Sequence, residues 1–171
     1  VICSVAELIA VHKNLAGEID RCIISEDEMA DNASPELRSI RRAIIRQNEA
    51  LKAKMNHILN LSDNKTILQD SIVTMRNGRY VIPVKQEHRN RVPGIVHDQS
   101  GTGATLFIEP QAIVNLNNEL RQLELDEKAE INRILKELSE GVSEHCHDLL
   151  NNQKLMLELD LFMAKGRLSI E

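Results

Sequence analysis

The spacing of apolar side chains predicts long helices on either side of one stretch with the pattern of strands. Between 36 and 60 the apolar residues recur every seven positions with two others between them, which predicts a long helix with a coiled-coil-like stripe. The stripe consists of Leu37, Ile40, Ile44, Leu51, Met55 and Ile58. After Gln111 a 3-and-4 spacing predicts a second long helix, and the stretch 151–168 predicts one more.

Two helix starts are marked by residues that suit a helix N-terminus. Ser4–Cys22 has its apolar residues on one face, which predicts an amphipathic helix. Ser4 and Glu7 fit a capping box, in which each side chain pairs with a backbone N–H that the helix leaves unbonded. Ser34 and Pro35 suit the N-cap and first position of the next helix, because proline lacks an N–H that would have no partner there.

The stretch Ile67–Pro110 is predicted to form a small antiparallel sheet of three or four strands. Asn77-Gly78 lies between two β-rich runs, 73–76 and 80–82. This dipeptide favours a type I′ hairpin turn, because both central positions of that turn need a positive φ. A sheet of this size is not stable alone, so we expect helices to cover it.

A second hairpin is predicted within the same stretch. The runs 94–97 and 104–108 flank Ser100–Gly103, which is rich in turn-forming residues. Pro83 lies inside the strand of the first hairpin and lacks the N–H that pairs with a neighbouring strand. The sequence therefore predicts that this strand lies at an edge of the sheet or carries a bulge.

These elements predict a mainly α chain of the α+β class, in which long antiparallel helices carry a small antiparallel β-sheet inserted at their tip. The predicted segments are 1–62, 63–110 and 111–171. The helix over 36–60 has a net charge of +4, and the stretch 111–145 has a net charge of −4. Exposed ion pairs add little stability, so apolar burial must hold the two helices while charge biases their register.

The bulk composition excludes several classes of protein. The 171 residues have a net charge of −5, so no overall basic field attracts nucleic acid. Aromatic residues make up only 2%, which leaves the core to leucine, isoleucine and alanine. Three unpatterned cysteines indicate a reducing, cytoplasmic setting and buried thiols. No apolar run approaches the ~18 residues of a membrane span, and the start at Val1 suggests a piece of a longer protein.

Two short motifs in the sheet region resemble sites of chemistry. Gly101-Thr102-Gly103 lacks the Lys and the Ser or Thr that follow the last glycine of a phosphate loop, and a strand follows instead of a helix, so a plain turn is favoured. His97 and Asp98 could form a metal or acid–base site with Glu109. Neighbours on a strand point to opposite faces, which favours a polar group that satisfies the adjacent turn.

The run Glu144–Asp148 has the composition of a metal site. On a continuous helix His145 and His147 diverge by about 200°, which leaves only Glu144 to share a face with His147 or Asp148. Zinc needs three or four convergent ligands. We therefore favour a solvated helix face with Cys146 buried, and expect no catalytic, cofactor or metal residues in this chain.

A cluster of cations on the sheet is the candidate nucleic-acid contact. Its members are Arg76, Arg79, Lys85, Arg89 and Arg91. Phosphate contacts need such cations on one surface, although three nearby carboxylates dilute the cluster. The alternative is that these charges solvate an exposed sheet edge and deter aggregation. Only Tyr80 could stack on a base there, which argues against sequence readout.

Three segments resemble the bacterial MutS family. They are MRNGRYVIPVKQEHRNRVPGIVHDQSGTGATLFIEP, the following LNNELRQLELDEKAEINRILKELSE, and ADNASPELRSIRRAI upstream. The similarity is to the second branch of that family, which carries a C-terminal Smr nuclease domain and lacks the N-terminal domain that reads mismatches. It covers about Ile23–Leu168.

The resemblance implies a core and lever region with a clamp. Helices 36–60 and 111–150 would be paired levers, and Ile67–Pro110 would be the clamp-like tip. The ATPase domain, which would bind ATP and Mg²⁺, and the endonuclease domain would lie outside this chain, which is itself non-catalytic. Members of this branch bind duplex or branched DNA as homodimers and restrain recombination, and some act on stalled ribosomes.

Three functions remain open from the sequence. The first is an arm of a MutS-type ATPase that embraces DNA. The second is a lever and dimerisation scaffold with no affinity of its own for nucleic acid, which the net charge of −5 favours for the chain in isolation. The third is contact with the ribosome or its RNA through the same tip.

Overall fold

A computed structural model describes residues 2–61 and 64–168. They form two compact units: a helical unit of residues up to 35 and from 130 onward, and a sheet unit of residues 36–129. The three-segment division made from the sequence stays a prediction, and its junction at 62/63 lies outside the described residues. Among the residues that are described, no helix combines the length and apolarity that crossing a bilayer requires.

The N-terminal part of the helical unit contains two helices instead of the single predicted one. Helix α1 is Ile2–Ala6 and helix α2 is Lys13–Cys22. Between them, the backbone N–H of Ala10 donates to Asn152 Oδ1 at 2.9 Å, and the carbonyl of Ala10 accepts from Asn152 Nδ2 at 2.7 Å. The side-chain amide of Asn152 thus takes the place of helical hydrogen bonds at Ala10, and the predicted continuous helix is wrong. Its predicted capping box is also wrong, because Ser4 lies inside α1.

A buried carboxylate joins two parts of the helical unit. Glu130 accepts a hydrogen bond of 2.6 Å from Ser34 Oγ and also pairs with Arg133 at 2.7 Å. These hydrogen bonds stabilise the charged form, so Arg133 and then Ser34 lower the pKa of Glu130 from 4.5 to about 2. The apolar residues buried in this unit are Cys22, Met29, Ala30, Ala33 and Ile134.

The cysteines do not follow the expectation of buried thiols. Cys22 is buried, whereas Cys3 and Cys146 are exposed. Cys146 begins helix α6, Cys146–Leu168, which follows the long helix α5, Val114–Glu144. The helix breaks between them at His145. The sequence interpretation that only Glu144 shares a face there is wrong, because His145 and Asp148 are three residues apart and lie on one side of a helix.

Helices of the sheet unit run as the apolar spacing predicts. Helix α3, Pro35–Asn60, begins at the predicted proline, and the short helix α4 is Asn64–Ile67. Arg41 Nε contacts Glu127 Oε1 of α5 at 2.7 Å, and Gln47 donates to Glu119 at 2.8 Å. From Arg41 to Gln47 the chain of α3 runs forward, while the partners on α5 run backward from Glu127 to Glu119. These stretches of the two helices are therefore antiparallel, and they carry the opposite charges that the sequence predicted.

The sheet has four antiparallel strands in the order β1-β2-β4-β3. They are β1 (Thr74–Arg76), β2 (Arg79–Lys85), β3 (Gly94–Gln99) and β4 (Thr105–Pro110). Asn77 and Gly78 have φ of 53° and 73°, which confirms the predicted positive-φ turn. The second predicted hairpin is also confirmed.

The sequence predicted that the strand containing Pro83 lies at an edge of the sheet or carries a bulge. That prediction is wrong for the strand as a whole, because β2 lies between β1 and β4 and its pairing with β4 runs through Pro83 without a register shift. Proline is tolerated there because β1 is short and pairs only with residues 79–81 of β2. Beyond that point, within the residues that the structure describes, the outer side of β2 forms a single bridge, between Leu68 and Val84. The missing N–H therefore costs the sheet little pairing.

Apolar burial attaches one face of the sheet to the helices. Ile82 pairs with Ile108 and Val84 pairs with Leu106 across β2 and β4, which puts all four on one face. They form one core with residues from α3, α5 and the connecting segments: Leu51, Met55, Leu59, Ile67, Leu68, Val92, Ile113 and Leu120. The covering helices that the sequence called for are thus present.

We predict that Gly94→Ala strongly destabilises the sheet unit. A Cβ at Gly94 would lie 2.1 Å from the backbone oxygen of Glu109, so paired strands would have to separate. The expected loss is about 2 kcal/mol or more of unfolding free energy, measured by urea denaturation. Gly101→Ala is the matched control, because nothing lies within 4 Å of its Cβ position. Equal losses in the two variants would contradict the prediction.

A second prediction concerns acid stability. Since the pKa of Glu130 is lowered to about 2 in the folded chain, its contribution is present above pH ~4.5 and is lost as pH falls toward 2. Glu130→Gln should lose about 1–2 kcal/mol at pH 7, and the difference from the unaltered chain should vanish in acid. Glu137→Gln, which also removes an exposed partner of Arg133, should change little. A difference that does not depend on pH would refute the assignment.

Candidate functional site

A fully buried carboxylate organises the polar residues of the sheet. Glu109 lies near the end of β4 and has no exposed surface. Its Oε1 accepts from Arg79 Nη1 at 2.8 Å and from Asn117 Nδ2 at 2.7 Å, and its Oε2 lies 2.5 Å from His97 Nε2. Such saturation is what a buried charge needs, because an unpaired one would be very costly.

His97 reaches Glu109 because strand β3 is irregular at that point. The pairing of β3 with β4 shifts register between Val96 and Asp98, so His97 has no partner residue across the strand. Its neighbour Asp98 instead contacts Arg76 Nε at 3.1 Å. Strand geometry predicted that His97 and Asp98 do not converge, and this is confirmed. The prediction that the imidazole satisfies the adjacent turn is wrong, because it pairs with Glu109.

Sequence reasoning missed Asn117, which links the sheet to α5. Its amide donates to the carbonyl of Tyr80 and accepts from the N–H of Tyr80, both at 3.2 Å. The hydroxyl of Tyr80 in turn donates to Asn48 of α3 at 2.8 Å. Its position in the sequence could have revealed this role. Asn117 lies three residues before Leu120 on the predicted apolar face of the helix, where a polar residue needs a partner.

The geometry around Glu109 fits a structural role better than acid–base chemistry. Both carboxylate oxygens are occupied by side chains of the chain itself, and the carboxylate is sealed from solvent. A general acid or base must reach a substrate proton directly or through one water. We conclude that this group fixes β2, β3, β4 and the start of α5 to one another.

Two of the candidate nucleic-acid contacts lie at the turn of the first hairpin. Arg76 and Arg79 are directly opposite each other in the pairing of β1 with β2. The Arg76 guanidinium lies over the ring of Phe107, 4.1 Å from its centroid, in addition to its contact with Asp98. Arg79 pairs with Glu109 and donates to Asn118 at 2.6 Å. Both cations are thus engaged in holding the sheet.

The other three candidates lie at the far end of β2. Lys85 ends that strand, and Arg89 and Arg91 belong to the 3₁₀ helix that follows, Gln86–Arg91. A strand rises about 3.3 Å per residue, which puts Lys85 about 20 Å from Arg79. The five predicted residues therefore form two groups and not one surface.

The 3₁₀ segment is held by one of its own cations. Arg89 donates to the carbonyls of Val92 and Gly94 at 3.1 and 3.2 Å, while Lys85 Nζ donates to the carbonyl of Thr66 at 3.2 Å near the surface. Arg91 is exposed, and within residues 2–61 and 64–168 it forms no hydrogen bond or ion pair. Lys85 and Arg91 are therefore the members of the cluster most available to a ligand.

The spacer of the second hairpin is a tight turn, as the sequence favoured over a phosphate loop. The N–H of Gly103 donates to the carbonyl of Ser100 at 2.7 Å, and the N–H of Ser100 donates to the carbonyl of Thr105 at 2.8 Å. Gly103 has a φ of 74°. Backbone donors that are used within the turn in this way do not point toward a phosphate.

We predict that Glu109→Gln destabilises the chain by about 3 kcal/mol, the scale for removing one partner of a buried charge pair. The change leaves Arg79 and His97 facing a neutral amide. Chemical denaturation followed by circular dichroism measures the loss. Glu87→Gln removes an acid that is 74% exposed and should have almost no effect. A loss below ~1 kcal/mol for Glu109→Gln would show that the network is not required for stability.

Known proteins that are similar to this chain share one name, Endonuclease MutS2. No protein-family model matches the chain. Endonuclease MutS2 of Alkaliphilus oremlandii is 52% identical over 159 residues, 93% of this chain and 20% of that protein. Endonuclease MutS2 of Clostridioides difficile is 49% identical over 171 residues, 100% of this chain and 22% of that protein.

A third relative has the same name and the same extent of similarity. Endonuclease MutS2 of Caldanaerobacter subterraneus is 52% identical over 159 residues, 93% of this chain and 20% of that protein. The chain spans about one fifth of the length of the curated relatives it matches. With about half of its residues identical to theirs along nearly its whole length, the chain belongs to the second, MutS2 branch of the MutS family.

Proposed function

We propose that this chain is the non-catalytic lever and clamp segment of a MutS2-type protein and that its sheet contacts duplex or branched DNA. Its similarity to relatives named as endonucleases supports the setting. ATP and Mg²⁺ binding, nuclease activity and restraint of recombination then belong to the longer homodimeric protein. Within this segment the helices carry the sheet and position it.

The observation that carries the proposal is the attachment of the sheet to two helices. Apolar residues of β2 and β4 pack on α3 and α5, and polar bonds from Tyr80 reach both Asn48 and Asn117. A sheet held in this way follows a displacement of its helices, because packed elements move as rigid bodies. This is the property that a lever requires.

The DNA contact is assigned to the far end of β2. Lys85 and Arg91 are accessible there, and Arg89 holds the backbone that presents them. Lysine and arginine contact phosphates without reading sequence. Tyr80 packs against the hydrophobic core, and its hydroxyl is bonded to Asn48, so its ring is not presented for stacking on a base. The contact therefore recognises the backbone of the nucleic acid rather than its sequence.

A second candidate function is a packing and dimerisation scaffold. Helix α6 exposes many large apolar side chains, between 38% and 73% of each: Met156, Leu157, Leu161, Phe162, Met163 and Leu168. Exposed apolar surface of this extent is typical of a region that packs against protein. The net charge of −5 also disfavours nucleic acid for the chain in isolation.

The test is binding of the chain to a fluorescent four-way junction and to a linear duplex, measured by anisotropy over a salt series. We predict salt-sensitive binding that weakens in the double variant Lys85→Ala/Arg91→Ala. If each residue contacts one phosphate, the slope of log K against log salt should fall by about 2 in magnitude. The variant leaves Arg79 and Arg89 intact, because both hold the fold.

The matched control is Lys52→Ala/Lys54→Ala, which removes the same charge from exposed positions of α3 and should leave the slope unchanged. Equal losses in both variants would show that overall charge governs binding and would refute the assigned contact. Absence of binding at low salt, with a folded circular dichroism spectrum, would favour the scaffold. Stronger competition by duplex RNA than by duplex DNA of equal length would favour the ribosomal alternative.

A further inference from the structure

Three potential metal ligands meet in the helical unit. His12, His145 and Asp148 each offer a ligand atom, and these atoms lie within 4.8 Å of one another. The rings of His12 and His145 are stacked, with centroids 4.0 Å apart and planes inclined by 24°. His12 Nε2 lies 3.2 Å from Asp148 Oδ2. Two imidazoles and a carboxylate thus converge from two distant parts of the chain.

Two interruptions bring these groups together, one between α1 and α2 and the other between α5 and α6. His12 lies just before α2 and is its N-cap residue, while His145 lies in the break between α5 and α6. The amide of Asn152, one turn after Asp148, holds the backbone of Ala10 two residues before His12. The site is therefore anchored by hydrogen bonds that do not involve its own ligand atoms.

One ligand atom is buried without a hydrogen-bond partner. Within the described part of the chain, His12 Nε2 is inaccessible to solvent and has no partner with hydrogen-bond geometry. Its 3.2 Å contact with Asp148 Oδ2 lacks hydrogen-bond geometry. A buried polar atom of this kind needs an explanation, and an ion bound between the nitrogen and the carboxylate would supply the missing partner.

We propose that His12, His145 and Asp148 bind a divalent transition-metal ion of the Zn²⁺ type. Imidazole nitrogen with a carboxylate oxygen is a donor set that suits zinc, whereas Mg²⁺ and Ca²⁺ prefer oxygen alone. Three protein ligands leave a fourth position for water. The carboxylate is 47% exposed, so this position is open to solvent.

The ion would act as a cross-link within the helical unit. It would join the start of α2 to the start of α6 across more than 130 residues of sequence. Ligation requires the two stacked rings to rotate until both nitrogens point at one ion. Because metal would bind the folded arrangement and not the unfolded chain, it should raise the stability of the unit.

The test begins with the chain stripped of metal by a chelator and titrated with Co²⁺ and Zn²⁺. We expect one equivalent of Co²⁺ to bind and to show the visible absorption of Co²⁺ in a site of low coordination number. Zn²⁺ should displace the Co²⁺ and raise the melting temperature of the chain. His12→Gln and His145→Gln should each weaken binding by at least about tenfold. Both should retain a native circular dichroism spectrum.

Two neighbouring residues supply matched controls. His147 is exposed on α6, and His147→Gln should bind metal as the unaltered chain does. Cys146→Ser should also keep binding, and no thiolate-to-cobalt absorption in the near ultraviolet should be present. Binding that survives His12→Gln, that depends on Cys146 or His147, or that is absent at micromolar Zn²⁺ would overturn the proposal.

Discussion

The structure of the sheet unit depends on the buried charge of Glu109. A carboxylate without solvent is tolerated only when its oxygens are saturated, and Glu109 achieves this with Arg79, His97 and Asn117, from β2, β3 and α5. Each donor must therefore be held in place by its own element. The hydrophobic core packs one face of the sheet on the helices, while this network restricts how the strands and α5 can be arranged around it.

Hydrogen bonding within the fold also determines which cations remain for a partner. Arg79 and Arg89 are used within the fold, on Glu109 and on backbone carbonyls. Lys85 at the end of β2 and Arg91 in the following 3₁₀ helix remain accessible. A contact with phosphates thus involves fewer cations than the cluster of five suggested. The packing that would transmit helix movement to the sheet is separate from the residues that would touch nucleic acid.

The helical unit shows a different kind of constraint. Its apolar spacing is compatible with a continuous helix over Ser4–Cys22, but the amide of Asn152 holds the backbone of Ala10 and the helix is interrupted. The interruption brings His12 to His145 and Asp148. The proposed metal site follows from this interruption. It could not be predicted from the run Glu144–Asp148, because its third ligand, His12, lies more than 130 residues earlier in the chain.

The sequence by itself determined the features that depend on neighbouring residues: the two hairpins, the positive-φ turn at Asn77-Gly78, the start of α3 at Pro35 and the long helices with opposite charges. Local sterics and apolar periodicity suffice for these. Tertiary structure alone decided the pairing of Glu109, the interior place of Pro83 and the meeting of His12 with His145. Those outcomes depend on contacts between residues far apart in the chain, and local preference carries no information about them.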